Sequence, residues 1–171
     1  MPGPGYSLGD VEAFVRSAVK GQRGGRFFAR PGTWALTPDS DGVPKDARHE
    51  FIMLPTWIVS SILAWFRLHN PARAAAVPGL DEALRAGLAY SVMNGLRGPG
   101  SYGGDDALVA LRLFAESGVT RLVLAEPSLC PELPGLLRRY KATYTEWREK
   151  AGDDPAFGAL TRADCEVGLR W

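Results

Sequence analysis

The stretch GLRGPGSYGGDDALVALRLF, residues 95–114, decides between two folds. Gly98, Gly100 and Gly103 stand in the G-x-G-x-x-G spacing of loops that cradle phosphates, and a helical pattern follows them. In a dinucleotide site a buried strand delivers the chain into the glycines, and a carboxylate for the ribose comes roughly 20 residues later. Glu126, closing VTRLVLAE, stands near that place. The approach to the glycines argues the other way. Leu80, Leu84, Leu88, Val92 and Leu96 recur at every fourth position before them, a helical spacing, and Arg97 and Pro99 interrupt the apolar approach. Glycines between two helices instead let the chain turn tightly into an antiparallel partner. Asp105 is then expected as the N-cap of the next helix, its carboxylate meeting free backbone N–H groups and the positive helix end. The stretch therefore reads as a hinge.

Outward from the hinge, helical spacing dominates. Leu8, Val11, Phe14, Val15, Ala18 and Val19 form an apolar stripe that stops at Lys20-Gly21. A second helix is expected from near Pro55 to Asn70-Pro71, a third over 80–94, and a fourth through Leu108, Leu111, Phe114 and Ala115 to Gly118. Leu136, Leu137, Tyr140, Tyr144 and Trp147 mark a fifth, opened by Pro134 and closed by Gly152. Thr161 and Asp164 have capping-box spacing and predict a short last helix. Residues 26–36 allow at most a small β-hairpin around Pro31-Gly32, and residues 119–124 leave helix and strand open. The polar segment 37–49 is the one long loop. The expectation is a single all-α domain over 1–171, about six helices in antiparallel α/α hairpins.

Composition sets the function classes. Lys plus Arg number 20 and Asp plus Glu 19, a net charge of +1, without the basic excess of a polyanion-binding protein; no nucleic-acid partner is expected. Residues 51–66 carry no charge, but sixteen residues with Pro55, Thr56, Ser60 and Ser61 among them fall short of the roughly 20 apolar residues of a spanning helix. A helix buried on all sides is expected, and no membrane partner. Two cysteines, Cys130 and Cys165, stand far apart, which suggests reduced thiols and a cytoplasmic protein without a disulfide framework. The N-terminus lacks the basic and apolar regions of a signal peptide.

Several of these features together resemble the α/α-toroid proteins, the architecture of terpenoid cyclases and protein prenyltransferases, over about residues 21–118. LPTWIVSSILAWFRLHNP (54–71) resembles their Pro-Thr-started apolar helices, GQRGGRFF (21–28) their glycine-aromatic turns, and GLRGPGSYGG (95–104) the glycine-rich entry to a next hairpin. The resemblance implies hairpins packed as part of a ring, a half-toroid at this length, around a central cavity. The chain departs from it where the chemistry lies. Gln22, Gly25 and Phe27 are one residue too close for the repeat, Asp105-Asp106 replaces the cyclase D-x-D-D, and the zinc set of prenyltransferases has no counterpart at suitable spacing.

The residues offer few chemical candidates. His49-Glu50 lacks a second histidine at helical spacing, so no metal site is expected. Asp39, Asp41, Gly42 and Asp46 misplace the ligands of a calcium loop. Ser60, Ser61 and Cys130 have no neighbouring base in sequence. No cofactor is called for. The leading reading is a non-catalytic helical-hairpin binding or assembly module that takes a second copy, a protein partner or a small-molecule ligand, with Phe27, Trp34, Trp57 and Tyr102 as candidate ligand-binding aromatics. The alternative is an enzyme with an aromatic-lined cleft acting on an isoprenoid-like or sugar-like substrate. Its candidate catalytic groups are His49 and Glu50 at the end of the polar loop and the acid pair Asp105 and Asp106.

A hinge and a phosphate loop respond differently to nucleotides. A thermal-shift panel of NAD, NADP, ATP and FAD at millimolar concentration is expected to leave the melting temperature unchanged. A rise of several degrees that disappears in a folded Gly100→Ala variant would show a phosphate loop instead.

Overall fold

The computed structural model describes residues 5–22, 33–34, 53–94, 96, 104–150, 166 and 169, with the backbone alone at 94 and 104–108. These residues form α1 (Leu8–Gly21), α2 (Leu54–His69), α3 (Pro71–Ala75), α4 (Leu80–Asn94), α5 (Gly104–Ser117), α6 (Val119–Ala125) and α7 (Leu133–Lys150). A 3-10 turn, Pro127–Leu129, separates the last two. No strand occurs among the described residues, and 83% of them are helical, so the protein is all-α. No helix among them is long and apolar enough to cross a membrane. The loop at 37–49, the glycines at 98–103, the capping-box spacing at 161–164 and all of the hairpin segment except Thr33 and Trp34 lie outside the described residues.

α2 is the central element. It packs against α1, α3, α4, α5 and α6, and buries Trp57, Leu63, Ala64 and Phe66 almost completely. Pro55 lies in its first turn, where a missing N–H costs nothing, and Asn70-Pro71 ends it. α2 and α4 approach closely because small residues line their contact. A Cβ placed on Gly87 would collide with the Ser60 hydroxyl and come within 2.8 Å of the Trp34 ring. Trp34 is pinned there by its indole N–H, which donates to the Ala18 carbonyl at 2.8 Å, and by its backbone N–H, which donates to the Thr56 hydroxyl at 3.2 Å.

The leucine ladder before the glycines is α4, a helix and not the strand that a dinucleotide site requires. Leu80, Leu84 and Leu88 are buried. Each four-residue step advances about 40° around the axis, so the ladder drifts off the core face, and Val92 is only half-buried. Leu96 is buried again because the chain has left the helix, its N–H donating to the Ser91 carbonyl at 2.9 Å.

Residues 119–125, left open between helix and strand, are helix α6, with Val119, Thr120, Leu122 and Val123 buried. Packing on α2, α5 and α7 overrides the β-branched composition. α5 begins at Gly104, which puts the backbone of Asp105 inside the first turn and not at the N-cap. Acidic residues anywhere in that turn meet the same positive helix end, so the attraction that suggested a cap also accommodates this place. A complete capping box closes the start of α1: the Ser7 backbone N–H donates to the Asp10 carboxylate at 2.7 Å, and the Asp10 N–H donates to the Ser7 hydroxyl at 3.2 Å.

α5 passes into α6 through one residue. Gly118 has φ +81°, and a Cβ there would come within 2.6 Å of Leu68 on α2. Gly118→Ala therefore combines left-handed strain with a clash, and Gly87→Ala combines two clashes in the α2–α4 seam. Each is expected to cost about 1–3 kcal/mol in urea denaturation. A loss below about 0.5 kcal/mol at either position would show that the helices can move apart without penalty.

Candidate functional site

An open apolar groove of about 520 Å³ lies between α1, α2 and α5. α2 supplies its floor through Ile58, Ser61, Ile62 and Trp65, which recur at i, i+3, i+4 and i+7 and so form one helical stripe. Tyr6, Asp10, Val11 and Phe14 form the wall on the α1 side, and Leu113, Glu116 and Ser117 the wall on α5. Tyr6, Phe14 and Ile58 are 71%, 43% and 40% exposed, a concentration of large apolar side chains in solvent that a closed core would have covered. Phe14 and Ile58 also line a second, smaller groove of about 440 Å³ with Trp34, Leu54 and Pro55, so the two side chains form a ridge between two depressions.

The polar side chains of the larger groove are the carboxylates of Asp10 and Glu116, the hydroxyls of Tyr6, Ser61 and Ser117, and the indole of Trp65. Hydrogen bonds from the Ser7 hydroxyl and backbone hold the Asp10 carboxyl below the usual carboxylate range, so it is charged at neutral pH. Glu116 accepts from Arg112 at 2.8 Å across one turn of α5. Ser117 donates to the Phe114 carbonyl at 3.4 Å. Ser61 is buried, at 5% exposure, and its hydroxyl oxygen has no hydrogen-bond partner among the described residues. Among the described residues neither serine hydroxyl is paired with a base, as a nucleophile would be.

The residues singled out in the sequence fall in several places. Trp57, at 1% exposure, is packed into the core beneath α2. Trp34 is buried and lines the smaller groove. Asp105 and Asp106 are adjacent in the first turn of α5, with only their backbone described. His49, Glu50, Phe27 and Tyr102 lie outside the described residues. Among the described residues, no three His, Cys, Asp or Glu side chains gather where a metal ion would sit. Cys130 is buried, and desolvation pushes its thiol up to about 11, which makes it a poor nucleophile at neutral pH.

Glu126, the would-be ribose ligand, is committed elsewhere. The Arg67 guanidinium, at the end of α2, donates to the Glu126 carboxylate at 3.1 and 2.8 Å and to Asp81 at 2.8 and 3.5 Å. This fork ties α2 to the first turn of α4 and to the residue after α6. The bonds hold the Glu126 carboxyl below its usual range and push Arg67 further up.

No family model matches the chain, and neither does any curated protein or solved structure. The α/α-toroid resemblance thus rests on the short motifs alone.

The Arg67 fork predicts a pH dependence with a definite sign. Glu126 has a depressed pKa in the folded state, so its contribution is present above the ordinary value of 4.5 and is lost as the pH falls through the folded-state value. Both carboxylates are nearly half exposed, which limits the effect to about 0.2–1 kcal/mol. Urea midpoints of the parent and of Glu126→Gln are expected to differ at pH 7 and to converge as the pH falls below the depressed folded-state value. A constant difference across that range would mean that the carboxylate charge plays no part.

Proposed function

We propose that the chain is a non-catalytic binding module and that its ligand or partner docks in the groove between α1, α2 and α5. The observation that carries this reading is the α2 stripe of Ile58, Ser61, Ile62 and Trp65 at the floor of an open groove, flanked by exposed Tyr6 and Phe14. Leaving large apolar side chains in water forgoes burial worth about 25 cal/mol per Å², and an occupant recovers it. The volume falls in the ordinary range for a recognition site. Among the described residues the hydroxyls of Ser61 and Ser117 have no base bonded to them, which supports binding over acyl or phosphoryl chemistry.

The test is uptake of a neutral apolar dye. Nile red is expected to bind with enhanced fluorescence, and Ile58→Gln or Phe14→Gln to weaken its uptake at least fivefold. Because both side chains are already about 40% exposed, each variant should change the stability by less than about 1 kcal/mol. Dye uptake that is absent, or that neither substitution alters, would sink the groove as the site.

A further inference from the structure

We infer that the occupant of this groove is the apolar face of an amphipathic helix from a different chain, edged with lysine or arginine; this rests on the groove being a binding site. The charge of the lining selects a cationic partner. Asp10 on the α1 wall and Glu116 on the α5 wall are the charged groups of the lining, and no Lys, Arg or His among the described residues joins them. Asp10 is held ionised by Ser7. Glu116 stands in the last turn of α5, where the carbonyl end of the helix adds negative potential. Its bond to Arg112 joins two side chains more than 60% exposed, a pair that an incoming cation replaces at little cost. Cations on both margins of an apolar strip complement this arrangement.

The shape of the groove selects a helix over a small molecule. Small-molecule sites enclose most of their ligand, typically 70–90% of its surface. Here Tyr6, Phe14 and Ile58 stand 40% or more in solvent, and the groove covers one side of an occupant only. A helix that offers one apolar face at i, i+3, i+4 and i+7 fits such a surface. A second copy of this chain fits less well, because a two-fold contact sets the same patch against itself and brings carboxylates against carboxylates.

Two fluorescein-labelled 14-residue peptides test the inference by anisotropy at low salt. One carries leucine at i, i+3, i+4 and i+7 with lysine elsewhere. The other replaces every lysine with glutamate. The leucine–lysine peptide is expected to bind and the leucine–glutamate peptide to bind at least tenfold more weakly. Ile58→Gln should weaken the first by tenfold or more, and Glu116→Gln by about 2- to 5-fold. Equal binding of both peptides, or lysine-peptide binding indifferent to Ile58→Gln, overturns the inference. If Nile red still enters the groove in that case, the binding-site reading stands without it; if neither probe responds to Ile58→Gln, both fall. Concentration-dependent dimerisation that excludes Nile red would assign the groove to a second copy.

Discussion

The uncharged length of α2 is the constraint on which the rest of this structure depends. Residues 51–66 bear no charge, so leaving this helix in water would forfeit about 1.5–3 kcal/mol for each large apolar side chain. One neighbour cannot cover a helix that is apolar on every side. Five helices gather around it, and Trp57, Leu63 and Phe66 disappear from the surface. The hydroxyl residues on α2 fit the same logic: Ser60 is small enough to meet Gly87 of α4, and Thr56 accepts from the backbone of Trp34.

The groove is the place where this enclosure is incomplete. α1 and α5 flank α2 but leave the Ile58–Trp65 stripe open between them. Elsewhere the ends of the helices are tied: Arg67 holds α2 to Asp81 and Glu126, and Gly118 turns α5 directly into α6 against Leu68. The opening thus lies within a frame fastened at the far end of α2. An occupant meets preformed walls and does not have to order them, which lowers the entropic cost of docking.

The helices were legible in the sequence because their apolar spacing is long and regular, as in Leu80–Leu84–Leu88 and in Tyr140–Tyr144–Trp147. The groove was not. An amphipathic helix announces its buried face by contrast with a polar one, and α2 has no contrast, so nothing in its residues separates Ile58 and Ile62, on the groove side, from Leu63 and Phe66 in the core. Phe14 belonged to the apolar stripe of α1, yet that stripe is wider than the contact with α2 and its outer edge stays in solvent. Residues 119–125 were ambiguous because seven residues give too few turns to establish a period, and tertiary packing settled them. The capping box at Ser7–Asp10 has the same spacing and the same aspartate as Thr161–Asp164, so it was equally legible in the sequence.

The burial of Cys130 gives the molecule an internal clock. Desolvation raises its thiol to about 11, so it is held protonated at neutral pH, and at 1% exposure the sulfur is closed to alkylating reagents in the folded state. Modification at this position must wait for the corner between α6 and α7 to come apart. The alkylation rate, divided by that of an exposed thiol, is then the fraction of time this corner spends open, a local free energy measured without denaturant.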